Sequence, residues 1–224
     1  MIDERLKSLV KYIGKNDSVI DVGCDHALLD IYLIQNNITD NIIVSDISNN
    51  ALQQGINNIK KYNLDSRIDA RCGNGLEVLN DEDIINTVII SGMGTNTILD
   101  ILNNKYLSKV NKLIIQSNKD YYLLRSEVTK LGFIISNEEV IVVNNKLYIN
   151  IIFVRGNKKY SLEELKYGTK DMINKEIYYK YLIDKYNKIL NSINDNATKD
   201  EIRKEILSIE SINKSNWNIL LFLI

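Results

Sequence analysis

The sequence predicts an α/β protein, a parallel sheet wrapped by helices on both faces, with a helical hairpin after it. Three observations carry that reading. Apolar strand-like runs alternate with helix-compatible segments as far as about residue 132. Those runs lack clean apolar–polar alternation, as expected of strands buried on both faces. Near Gly132 the pattern switches to two long β-rich runs, and beyond Ser161 to helical spacing.

In order, Ser18–Val22, Ile42–Asp46, Arg67–Arg71, Val88–Ser91 and Lys112–Gln116 read as strands. Between them Ala27–Gln35, Asn49–Tyr62, Asn96–Leu102 and Tyr121–Leu131 read as helices. Ser48 and the Asn49-Asn50 pair offer oxygens to cap the second helix. Phe133–Val143 and Lys146–Arg155 are joined around Asn144-Asn145, which suits a hairpin and so an antiparallel pair. Five parallel strands ending in such a hairpin outline a Rossmann-like class I methyltransferase sheet; a dinucleotide fold would continue βαβ. Gly156–Ser161 is polar and reads as a linker. From Leu162 to Ile193, and again from Ile202 to Ile212, apolar residues fall at helical spacings, which predicts two amphipathic helices joined at Asn194–Thr198. The expected division is residues 1–156 as the ligand-binding domain and 157–224 as the helical hairpin.

Composition narrows the class. The 224 residues carry a formal net charge of −1 and 45% hydrophobic content, enough for a core without a commitment to polyanions. The charge is uneven, at −3 before Gly156 and +2 after it. Cys24 and Cys72 make neither a disulfide framework nor a zinc set, so no metal is expected. The apolar carboxyl end from Trp217 is too short to span a bilayer, and no signal peptide is evident. A cytoplasmic location with no membrane partner is expected.

The chemistry sits at strand ends. Val19-Ile20-Asp21-Val22-Gly23-Cys24-Asp25-His26 runs an apolar strand into a glycine, two carboxylates and the only histidine. Open α/β sheets bind ligands beyond the carboxyl ends of their strands, and Gly23 permits close approach of backbone. Asp46, followed by Ile47, ends the second strand, where an acid suits the two hydroxyls of a ribose. A single glycine is too few for a pyrophosphate cradle, which argues against a dehydrogenase. S-adenosylmethionine has no phosphates and fits better. Asp21 and Gly23 would receive its methionine end. Asn74, in Cys72-Gly73-Asn74-Gly75-Leu76, would accept from the adenine amino group. Gly92 and Met93, in Ser91-Gly92-Met93-Gly94-Thr95, would lie between cofactor and acceptor.

A sulfonium drives transfer by itself, so such an enzyme mainly aligns nucleophile and methyl. A ring nitrogen becomes cationic on methylation, and a nearby carboxylate can stabilise that charge and take a proton. Asp25 is the candidate, with His26 orienting it or touching the acceptor. Gln116 and Asn118, ending the fifth strand, could read a base edge. Arg125 reads either as a phosphate contact or as a solvated charge. Cys24 reads as packing.

Four of these segments together resemble the bacterial tRNA adenine N1-methyltransferases that modify position 22, the TrmK family. Its Asp-(Ile/Val)-Gly-Ser-Asp-His-Ala is similar to Asp21–Ala27, its Gly-Asp-Gly-Leu to Gly73–Leu76, its Ala-Gly-Met-Gly-Gly to Ser91–Thr95 and its Gln-Pro-Asn to Gln116–Asn118. The family's Leu-Arg resembles Leu124-Arg125. The resemblance implies S-adenosylmethionine as donor, N1 of a tRNA adenine as acceptor, an essential aspartate at Asp25 and a carboxyl-terminal helical hairpin. Departures carry expectations. Asn74 loses a charge, Ser117 in place of proline loosens its loop, Leu28 and Asp30 replace Tyr and Pro, and Ile149 follows Tyr148 where the family has an acid. Rival readings are a class I methyltransferase with a small-molecule or protein acceptor, and a non-catalytic RNA-binding adaptor that retains the cofactor pocket.

Overall fold

The computed structural model describes residues 2–221, with side chains through Asn213; Phe222–Ile224 at the apolar carboxyl end lie outside the described residues. The seven strands are β1 (Val19–Val22), β2 (Ile42–Asp46), β3 (Ile68–Cys72), β4 (Thr87–Met93), β5 (Lys112–Ser117), β6 (Phe133–Val143) and β7 (Lys146–Arg155). They form one sheet in the order β3-β2-β1-β4-β5-β7-β6. β1 to β5 are parallel, and β7 lies antiparallel between β5 and β6. The order reverses between β1 and β4, which opens the crevice where such sheets bind ligands. The left-handed Asn144-Asn145 pair makes the hairpin turn between β6 and β7.

Helices α1 (Glu4–Lys7), α2 (Leu28–Gln35) and α3 (Asn49–Lys61) cover one face; α4 (Thr95–Leu102) and α5 (Tyr121–Lys130) cover the other. Ser48 Oγ accepts from Ala51 N, so the expected cap of α3 is in place. α1 was not legible as a helix; it is one turn, capped by Asp3 accepting from Leu6 N. It brings the amino-terminal residues across the carboxyl ends of the central strands.

The carboxyl-terminal region differs from expectation. Its first helical stripe is not continuous. α6 (Leu162–Tyr167) ends at Gly168, whose φ of +100° breaks it, and α7 (Lys175–Ser192) starts after a turn. α8 (Asn196–Leu221) then packs back on α7. Tyr167, Met172, Tyr178, Tyr179, Leu182 and Ile209 share one core with the sheet. The change of architecture at Gly156 is therefore not a break in packing. Among the described residues no helix is long and apolar enough to cross a membrane.

Candidate active site

The loop after β1 is built from alternating left-handed residues, Gly23 (φ +75°), Asp25 (φ +49°) and Ala27 (φ +53°). Positive φ at two non-glycine positions costs free energy and clusters at functional loops. Surrounding contacts hold it. Gly23 and Cys24 donate to Ser45 O at 2.8 and 3.1 Å. Asn58 Nδ2 donates to His26 O. Gly55 of α3 lets that loop approach, since a Cβ there would sit 3.0 Å from Asp25 O.

Asp46, half-buried at the end of β2, accepts from Ser48 N (2.8 Å) and Asp25 N (3.3 Å). A carboxylate has about four acceptor sites, so capacity remains for ligand hydroxyls. Ile47 beside it is 73% exposed, an apolar face offered to solvent. Gly73 N donates to Asp46 O, which sets Asn74, exposed, beside the same edge. Asp25 and His26 both face solvent, with Oδ2 and Nε2 3.5 Å apart. The structure thus brings Gly23, Asp25, His26, Asp46, Ile47 and Asn74 to one edge.

Asp21 lies beneath this edge, fully buried beside Asp30 of α2. Burial pushes the Asp21 carboxyl up to about 7, against relief from a hydrogen bond with Asp30 and from the Arg5 charge. Asp30 is also raised, well above the usual carboxylate range, by burial and then by the charge of Asp21. Neither Asp30 oxygen finds a hydrogen-bond partner elsewhere, and burial favours the neutral form of both carboxyls. The Cys24 thiol is also pushed up by burial, as suits a packing residue.

On the other side of β1, Met93 packs over Gly23, where a Cβ would collide with its methyl. Gly92 has a φ of +80°, and its carbonyl accepts from Asn118 Nδ2 at 2.6 Å. Asn118 is exposed and ties the β4 and β5 ends together.

Three expectations need correction. Gln116 is not free to read a base: it is fully buried, its Nε2 donates to Asn150 Oδ1 (2.6 Å), and its Oε1 accepts from Arg5 Nη1 (2.9 Å). Arg125 is neither a phosphate contact nor a solvated charge. Its side chain is 0% exposed and pairs with Glu138 at 2.6 Å while donating to Leu165 O of α6. Glu138 in turn accepts from Thr169 N, so this ion pair fastens the helical region to the sheet. Ser117 does not loosen its loop; its buried hydroxyl bonds Thr95 Oγ1 (2.9 Å) and Lys119 O (2.8 Å). Arg5, which the sequence did not single out, reaches this site from α1 and donates to Ser91 Oγ at 3.3 Å.

Five parallel strands, an antiparallel closing strand and this polar edge define a Rossmann-like methyltransferase domain. A family model described as a methyltransferase domain matches residues 2–152. The solved structure of M. capricolum TrmK, in complex with S-adenosyl-homocysteine, superposes with a TM-score of 0.85 at 34% identity, covering 95% of this chain and 98% of that one. The structure of Streptococcus pneumoniae Sp1610 in complex with S-adenosyl-L-methionine gives 0.85 at 25% identity, covering 95% and 99%. The tRNA (adenine(22)-N(1))-methyltransferase of Bacillus subtilis is 26% identical over 159 residues, 70% of this chain and 66% of that protein. The aligned segments span just under two thirds of the curated relatives. On these matches the chain belongs to the methyltransferase-domain family, within its TrmK group.

Proposed function

We propose that this chain transfers a methyl group from S-adenosylmethionine to N1 of an adenine in tRNA, at position 22. The observation that carries this reading is the division of labour among the strand-end carboxylates. Asp46 is anchored by two backbone amides with acceptor capacity left, whereas Asp25 stands exposed near Gly23 with His26 beside its carboxylate. The residues fit the cofactor: Asp46 for ribose hydroxyls, Ile47 for an adenine face, Asn74 for its amino group, and Gly23 for close backbone approach. The relatives named above supply the acceptor. When bound, S-adenosylmethionine provides a methyl on a sulfonium that needs no activation by the protein.

The chain's own contribution is alignment and charge. Gly92 and Met93, held by Asn118, shape the ledge where an adenine edge would sit. Asp25 stabilises the positive charge that forms on the ring and can accept a proton, with His26 orienting it. The acceptor edge is the Watson–Crick edge, so the base must first leave its stack.

A groove of about 1040 Å³ runs from Asn118 between the β6–β7 hairpin and α7. Lys119, Lys146, Lys180 and Lys185 and the exposed Tyr122 and Tyr181 line it, which suits an RNA strand. The test is methylation of unmodified tRNA transcripts with radiolabelled donor and mapping of the product nucleotide. Label in adenine 22 supports the proposal, and label in proteins or small molecules but not tRNA would favour the rival acceptor class.

A further inference from the structure

The groove between the β6–β7 hairpin and α7 is walled by rings as much as by charge. Seven of the chain's 13 tyrosines line it. Its charges are mixed, with five lysines against Asp120, Asp184 and Glu205. A duplex offers such a surface its phosphates and sugars, and acids in the wall oppose that contact. Tyrosine rings offer a flat face to any base, but to one that has left its own stack.

The tyrosines divide by what already engages them. Tyr121 of α5 and Tyr178 of α7 meet edge to face with ring centres 5.9 Å apart, and they floor the groove where the helical region joins the sheet. Tyr167 is buried and donates to Glu205, which also pairs with Lys166. One lysine and one acid are thereby engaged with each other. Tyr122 and Tyr181 are 45% and 47% exposed, and among the described residues neither makes a hydrogen bond or a ring contact. Tyr178, Tyr181 and Lys185 recur at i, i+3 and i+7, so Tyr181 shares a face of α7 with the floor ring, one turn further on. Tyr148 of β7 stands on the other wall, half-buried. Burial and then Tyr178 and Tyr181 push the Tyr121 hydroxyl up, and Tyr148 acts on it too, so both walls reach one floor residue. At the near end the groove is lined by Asn118, which donates to Gly92 O at 2.6 Å. A strand whose adenine lies on the Gly92–Met93 ledge therefore runs on into the groove.

We propose that the groove holds an unpaired base next to the target adenine in the same strand, stacked on Tyr181 with Tyr148 on the facing wall and Lys180 and Lys185 at the adjoining phosphates. The substrate class is then RNA that is single-stranded at two or more consecutive nucleotides. This rests on the tRNA reading above. The competing occupant is a paired stem held through its phosphates, which would use the lysines and leave the rings idle.

The experiment is filter binding of the full chain to unmodified tRNA transcripts, either intact or with an abasic ribose just before or just after the target. An abasic ribose keeps the phosphate and removes the base. Wild-type affinity should fall about 10- to 100-fold on one of the two abasic RNAs, the range for one stacked base. Tyr181→Leu should lose a similar factor on intact tRNA and nothing more on that abasic RNA, with an unchanged salt slope because no phosphate contact is removed. Tyr181→Phe, which keeps the ring, should bind as wild type does. Melting curves establish folding, and Tyr148→Leu supplies the same cycle if Tyr181→Leu does not fold. An equal loss on the intact and both abasic RNAs would make Tyr181 structural and overturn the inference. So would wild-type binding that is indifferent to both abasic sites, which would leave the groove to phosphates. The tRNA reading is judged separately by label in adenine 22. Without that label the reading falls and takes this inference with it; with label but no coupling to the neighbouring base, this inference alone falls.

Discussion

Replacing Asp21 by Asn should make the protein more stable and a weaker binder of its cofactor. Asp21 and Asp30 are both fully buried, and burial raises the Asp21 carboxyl from 3.8 to about 7. The folded chain therefore keeps a proton on Asp21 up to about pH 7, while the unfolded chain loses it near pH 4. In that window the folded state binds more protons, so stability falls as pH rises. The loss begins near pH 4 and is complete just above pH 7. Three pKa units at 1.36 kcal/mol each amount to about 4 kcal/mol. Asp21→Asn removes this titration and supplies an amide that can donate to Asp30. Urea unfolding of both proteins from pH 4 to pH 8 measures it. The difference between the two profiles cancels carboxylates remote from the pair, such as Asp83, which its bonds with Arg71 hold low. The Asn variant should gain up to about 4 kcal/mol at pH 8 relative to pH 4, and it should bind S-adenosylmethionine more weakly because the ammonium loses a carboxylate. Parallel profiles, with no relative gain for the variant above pH 7, would refute the reasoning.

Other substitutions separate the roles further. Asp46→Ala should weaken S-adenosylmethionine binding by roughly 1–3 kcal/mol in calorimetry, through lost hydrogen bonds to the ligand hydroxyls. Asp25→Ala should leave that affinity nearly intact and lower the single-turnover rate on tRNA by about 10²-fold or more; a rate close to wild type would make Asp25 structural. Arg125→Met leaves Glu138 buried without its cation, and should cost about 3–5 kcal/mol in urea unfolding. The pair Lys180→Glu with Lys185→Glu should raise the KM for tRNA, flatten its salt dependence and leave cofactor affinity unchanged, because these lysines line only the groove.

The ends of β1 and β2 are legible because an apolar run there carries or stops on an acid, and the end of β3 because Gly73-Asn74-Gly75 follows it. Asp21, Gly23, Asp46 and Asn74 could be placed that way with no tertiary information. Arg5 could not, since its partners Ser91 and Gln116 are 86 and 111 residues away. Gln116 and Arg125 depart from their sequence expectation for one physical reason. A polar residue at an element boundary looks the same in sequence whether it faces solvent or a buried partner. A signal for Arg125 did exist: Glu138-Glu139 places acids in the middle of a β-run with apolar residues at both ends, and a buried acid needs a cation or a donor. The break at Gly168 was also visible as a lone glycine inside the helical stripe. Apolar spacing alone carried the pattern across it.

The two proline-to-polar departures from the family pattern show how differently such exchanges can resolve. The chain contains no proline. At Ser117 the hydroxyl bonds Thr95 Oγ1 and Lys119 O, so side-chain bonding supplies the restraint that a fixed φ would have given. The exchange is self-contained, and its effect should stay within that turn. At Asp30 the carboxyl is buried beside Asp21, and burial and the Asp21 charge both push it toward its neutral form. That exchange is not self-contained, because it adds a like charge beside the carboxyl assigned to the cofactor's ammonium. A bound ammonium would relieve both carboxyls at once, and the Arg5 charge already lowers the Asp21 carboxyl. With Asp21 as the proposed partner of the ammonium, cofactor binding, proton content and folding stability would be coupled through one buried pair, and relatives with proline at the position of Asp30 should show a smaller pH dependence of cofactor affinity.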